Sequence, residues 1–143
     1  MHKMPHKGKI IGIIGSRRRN TDEDYKCVYN EFKKWYDIGD RICSGGCKQG
    51  GDRFAEIIAK KMNLTEENGG LILHLPKKPP KGSPRWAYAK ANFERNTLVA
   101  QDSNMIIACV AGDRKGGTED TIRKFLKKFE KTWAENKYLV RLV

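Results

Sequence analysis

The chain has 143 residues, of which 38% are hydrophobic and 32% charged, and its 29 Lys and Arg against 17 Asp and Glu give a formal net charge of +12. That length suits one domain with a sizeable core, and no apolar run approaches the roughly 20 residues of a membrane span. The positive balance favours phosphate-bearing partners, small or polymeric, without choosing between them.

Residues 1–8 carry charge but no apolar stretch, so a flexible leader rather than a secretory signal is expected, before a single domain over 9–143. His2 and His6 lack the further ligands that a metal site needs, so no metal site is expected. The apolar run Lys9 to Ile14 ends at Gly15 and predicts a buried parallel strand. Thr21 or Asp22 can cap a helix through about Asp37, with Tyr25, Val28, Phe32 and Trp35 or Tyr36 on one face. Arg41–Cys43 predicts a second strand, and Asp52 opens a helix carrying Phe54, Ala55, Ile58 and Met62. After the Asn68-Gly69-Gly70 turn comes a third strand, Leu71–Leu75. Pro76 to Arg85 is rich in proline and basic residues, so it forms no regular element. Helix is expected over Trp86–Ala100, strand over Asn104–Val110, helix over Thr118–Glu135, and strand over Tyr138–Val143. In the last helix, Ile122, Phe125 or Leu126, Phe129 and Trp133 form the expected core stripe.

This alternation implies a parallel sheet with helices on both faces, and ligands bind at the strand C-termini of such sheets. Three small-residue clusters fall at that edge: Gly15-Ser16-Arg17, Ser44-Gly45-Gly46 running on to Gly50-Gly51-Asp52, and Gly116-Gly117-Thr118. Backbone N–H groups at such strand-to-helix junctions can cradle phosphate. None of the three is a Walker loop or the dinucleotide fingerprint. Asp52 reads first as a helix N-cap and second as a ligand contact. Inside the middle helix, Phe93-Glu94-Arg95-Asn96 places an unfavourable Asn where either function or a solvated face explains it.

Cys27, Cys43, Cys47 and Cys109 have no zinc-type spacing and read as reduced thiols of a cytoplasmic protein. Cys47, in the glycine loop, is the one candidate nucleophile, but His74, the only His outside the leader, lies in a predicted strand.

Taken in order, Gly15-Ser16-Arg17, Ser44-Gly45-Gly46-Cys47 through Gly50-Gly51-Asp52, Arg95-Asn96 and Gly117-Thr118 with Thr121-Ile122 resemble the YspA-like branch of the SLOG superfamily. The resemblance covers Ile10 to about Ile122. It implies a three-layer αβα Rossmann-like sandwich with a mainly parallel five-stranded sheet, binding a nucleotide or nucleotide-derived ligand at its glycine edge. A homodimer is expected by the same analogy, and no separate cofactor is. The enzyme branch, which includes the Lonely-guy phosphoribohydrolases, pairs an arginine with a glutamate. Arg95 matches the arginine, whereas Thr121 stands at the glutamate position. A hydroxyl cannot stabilise an oxocarbenium ion or activate water as a carboxylate does.

Three functions follow as expectations. The first is a binding module whose ligand contacts are Gly15, Ser16, Arg17, Ser44, Gly45, Gly46, Gly50, Gly51, Asp52, Asn96, Gly116, Gly117 and Thr118. The second is a nucleotide N-glycosidic hydrolase in which Arg95 and Glu94 are the catalytic candidates. The third is a single-stranded nucleic-acid binder, with Trp86 and Tyr88 beside Lys77, Lys78, Lys81 and Arg85. Against the third, these aromatics read more simply as core beneath a solvated loop.

Overall fold

Apolar runs bounded by glycine form the strands, and amphipathic segments between them cover both faces. The structure is a computed structural model that describes residues 8–132, 134–135 and 138–143; the expected leader, its two histidines and Trp133 lie outside the described residues, apart from Gly8. The elements are β1 (Ile10–Gly15), α1 (Asp22–Trp35), β2 (Arg41–Ser44), α2 (Gly51–Lys61), β3 (Leu71–Leu73), α3 (Arg85–Asp102), β4 (Met105–Cys109), α4 (Gly117–Lys128) and β5 (Val140–Leu142). They build one parallel sheet in the order β3-β2-β1-β4-β5. The order reverses between β1 and β4, which makes their C-terminal ends the topological switch point of the sheet.

Strand alternation divides the core into two layers. Ile11, Ile13, Ile42, Met105 and Ile107 pack against Val28 and Phe32 of α1 and Phe54 and Ile58 of α2. Ile14, Cys43, Ile106 and Ala108 face Val99 and Ala100 of α3 and Ile122 and Phe125 of α4. The result is the expected three-layer α/β sandwich.

Thr21 caps α1 in a full capping box with Asp24, choosing between the two caps the sequence offers. Asp52 does not cap α2. The N-cap is Gly50, at a positive φ of 70°, and Asp52 lies in the first turn with its carboxylate turned back onto the preceding loop. The last helix also differs from its expected length, ending at Lys128 rather than near Glu135. Glu130 enters the left-handed region at φ 53°, with Lys131 N donating to the Leu126 carbonyl and Glu130 N to that of Lys127. That is a Schellman stop made without glycine. Phe129 is therefore 38% exposed instead of completing a core stripe. Trp86 and Tyr88 are not core either, being 68% and 43% exposed on α3.

Lys128 ends one helix and closes another. Its ammonium donates to the carbonyls of Ala100 (3.2 Å), Gln101 (3.1 Å) and Ser103 (2.8 Å) at the C-terminus of α3. These are orphan acceptors at the negative end of a helix dipole. Lys128→Met, which keeps the stem and removes the donors, is expected to cost about 1 kcal/mol in urea unfolding with the m-value unchanged.

Candidate functional site

A cleft of about 760 Å³ opens at the switch point, walled by the end of β1, the glycine loop after β2, the loop between β4 and α4, one face of α3 and the start of α4. Its size suits a nucleotide-sized ligand. The three glycine clusters meet here, but their glycines perform two different jobs.

Gly15 and Gly51 are packing glycines. A Cβ on Gly15 would lie 2.9 Å from the Gly51 nitrogen, and one on Gly51 would fall on the backbone of Ile14 and Gly15. Only hydrogen side chains let α2 start so close to β1. Gly50 belongs with them, because a Cβ there would reach the Ser16 carbonyl at 2.5 Å. Gly116 and Gly117 are open glycines. Nothing lies within 4 Å of a Cβ on Gly116, and on Gly117 it would meet only Asn96 Nδ2 at 3.6 Å. Gly116 is the N-cap of α4 at φ 118°, and no side chain caps that helix. The first residues of α4 thus line the cleft with no side-chain cap on the helix N-terminus.

The loop after β2 is clamped from two sides. Ser44 Oγ, fully buried, lies 2.7 Å from the Ile13 carbonyl and 2.8 Å from Asp52 Oδ1. Cys47 N donates to Asp52 Oδ2 at 3.1 Å. From α3, Arg95 Nη1 donates to the Gly45 carbonyl (2.8 Å) and stands 3.8 Å from Asp52 Oδ2. Gly45 must be glycine for this to happen, since a Cβ would come within 2.6 Å of Arg95 Nη1. Arg95 Nε donates to Asn96 Oδ1 (3.0 Å), and Asn96 Nδ2 donates to Asp120 Oδ2 (3.2 Å). The helix-interior Asn is thereby a buried strut between α3 and the first turn of α4.

Of the residues expected from sequence, Gly15, Ser16, Arg17, Gly45, Asp52, Arg95, Asn96, Gly116, Gly117 and Thr118 line the cleft. Ser44, Gly46, Gly50 and Gly51 stand behind it and shape its loops. Glu94 lies outside the lining, 61% exposed on α3 and 4.0 Å from Lys90. Cys47 lines the cleft with Asp52, not a histidine, on its backbone.

Three residues outside the expected contacts also line the cleft: Phe93, Lys115 and Asp120. Phe93, 49% exposed, lines the cleft, with the Lys124 ammonium over its ring at 5.4 Å from the centroid. Lys115 and Arg17 line the cleft and their side chains have no hydrogen bond or ion pair among the described residues, whereas Arg18 and Arg114 are engaged by Asp113 and Glu119. Asp120, only 8% exposed, is the third. Burial pushes its carboxyl up, but Lys124, Asn96 and Arg123 outweigh burial and hold it below the usual carboxylate range. Asp120 lines the cleft beside Thr121. Thr121 itself donates to the Gly117 carbonyl at 3.2 Å.

No protein-family model matches the chain, and no curated protein does. Among solved structures, the molybdenum cofactor carrier protein of Chlamydomonas reinhardtii is similar to it. The match has a TM-score of 0.57 at 16% sequence identity and covers 96% of this chain and 90% of that one. At that identity the likeness extends to the Rossmann-like fold.

Proposed function

We propose that the cleft binds a nucleotide or nucleotide-derived ligand, with phosphate over the Gly116-Gly117-Thr118 turn and a planar ring against Phe93. The observation that carries this reading is the uncapped start of α4 lining the cleft beside Arg17 and Lys115, whose side chains have no ion pair among the described residues. Free N–H groups, the helix dipole and mobile cations together select a multiply charged anion. A half-exposed phenyl ring in the same cleft adds an apolar surface for a base. The position at the switch point, the ordered motifs that resemble the SLOG superfamily, and a structural neighbour named as a cofactor carrier all support a small-molecule site.

Asp120 favours hydrolysis of an N-glycosidic bond as the second reading. A carboxylate held ionised is a weak general base but a good stabiliser of an oxocarbenium ion, and Asp120 would take that role in place of Glu94. Release of free base from a bound nucleotide, seen by chromatography, separates turnover from binding.

The test is thermal melting against nucleoside mono-, di- and triphosphates, dinucleotides, cyclic nucleotides and a single-stranded oligonucleotide. One small nucleotide at a hundred times its dissociation constant is expected to add about 2.7 kcal/mol of stability. Gly117→Ala is expected to keep the ligand-free melting temperature, having room for the methyl group, and to lose most of the shift. A shift from the oligonucleotide alone that vanishes with salt would transfer the function to the basic surface around Trp86.

A further inference from the structure

On the face of β2 that packs against α3, three groups that the cleft does not use converge. Cys43 Sγ, His74 and Asp102 present one ligand atom each, all within 4.8 Å of one another. They come from β2, the residue following β3 and the last residue of α3. Hydrogen bonding fixes the frame: His74 N donates to the Ser44 carbonyl at 2.9 Å, which holds the imidazole beside the strand that carries Cys43. His74 Nε2 lies 2.6 Å from Asp102 Oδ2. Cys43 is fully buried beneath this pair, while the side chains of His74 and Asp102 are 20% and 43% exposed. The cluster thus has a buried thiol at its base and a solvent-facing mouth.

We propose that Cys43, His74 and Asp102 form a site for a borderline-soft divalent cation of the zinc class. The donor set selects the metal. Thiolate and imidazole favour Zn²⁺ and Co²⁺ over the hard cations Mg²⁺ and Ca²⁺, which take oxygen ligands. Metal–sulfur and metal–nitrogen bonds of about 2.3 and 2.0 Å put tetrahedral ligand atoms about 3.5 Å apart. The present span therefore needs only small side-chain rotations, Cys43 and the pair closing while His74 and Asp102 part. Three protein ligands leave a fourth position at the mouth for water.

Protons balance simply. The Cys43 thiol gives its proton to solvent on forming the metal–thiolate bond, and the neutral His74 ring carries its proton on Nδ1 so that Nε2 is free for the cation, which then sits between His74 and Asp102. Burial first and the Asp102 carboxylate second push the thiol up to about 12, so without metal it stays protonated at neutral pH. The Ser103 hydroxyl favours the thiolate, and the nearby Asp102 and Asp52 carboxylates oppose it until a cation neutralises them. Lys128 is the neighbouring positive group, and its ammonium is already held on three carbonyls of the α3 terminus.

The test is titration of the full chain with Co²⁺, with His2 and His6 both changed to alanine to remove the leader as a competing ligand. One equivalent is expected to produce thiolate-to-cobalt charge-transfer absorption and the visible bands of tetrahedral Co²⁺, both displaced by Zn²⁺. Cys47→Ser is expected to keep these bands and Cys43→Ser to abolish them. Because a buried substitution can disturb folding, His74→Ala at the sheet edge is measured alongside. It is expected to weaken Co²⁺ binding by more than about tenfold with the far-UV circular dichroism unchanged. Absence of the thiolate band, its survival in Cys43→Ser, or unchanged affinity in a folded His74→Ala protein would each overturn the proposal.

Discussion

Gly51→Ala is expected to destabilise the protein by about 3 kcal/mol or more, the upper range for overpacking a tight contact. In a domain of this size that is a fall of roughly 10 °C in melting temperature. The sign is the informative part. At a helix position, alanine normally stabilises relative to glycine by up to about 1 kcal/mol, so a chain in which Gly51 were merely a helix start would gain stability. Here the new Cβ would occupy the backbone of Ile14 and Gly15, which cannot rotate away as a side chain could. Either β1 or the whole of α2 would have to shift, and Phe54, Ala55 and Ile58 are fully buried against the sheet. Thermal and urea melts of the purified variant check this; an increase in melting temperature would show that the α2–β1 approach is looser than described. Paired with Gly117→Ala, the experiment separates glycines that close the fold from glycines that open the cleft.

Arg95→Ala is expected to weaken binding of the tightest nucleotide in the melting panel by about 10- to 100-fold, equivalent to the roughly 1.5–3 kcal/mol of a hydrogen bond to a charged group. Its guanidinium does two things at once. It places positive charge on the cleft wall, and it holds the Gly45 carbonyl in register beside Asp52. Removal leaves the Asp52 carboxylate, 13% exposed, without its nearest cation. Arg95→Lys is expected to recover part of the affinity through charge, but not all, since an ammonium cannot serve Gly45 and Asn96 together in the fork that guanidinium provides. Calorimetry on both variants checks it. Unchanged affinity in a folded Arg95→Ala protein would remove Arg95 from the site.

The order of elements was legible because short strands of three to six residues alternate with helical periodicity, and glycine marks most junctions. The location of the site was legible for the same reason: three small-residue clusters follow strands whose ends share one edge. What each glycine does was not. Gly51 and Gly117 look alike along the chain, and only the distance to β1 separates them. The stop of α4 left no trace either, because Glu130 adopts the left-handed conformation that glycine usually signals. Asp120 was hidden because the helix dipole already explains an acidic residue in a first turn. Trp86 and Tyr88 were misjudged because large aromatics are usually buried, and here the sheet is already covered by Val99, Ala100, Ile122 and Phe125.

The ranking of strands within the sheet has a consequence for how the molecule breathes. β4 is buried along its whole length and β1 over its centre, whereas edge strand β3 has three residues, all partly exposed. Local opening starts where few apolar contacts resist it. Fraying at β3 therefore leaves the β1 and β4 ends, and the cleft between them, standing. The same fraying carries His74 away from Cys43. A cation held by Cys43, His74 and Asp102 would consequently act as a rivet on the weakest edge, slowing amide exchange in β3 far more than in β1, while a ligand in the cleft would slow exchange chiefly around the start of α4.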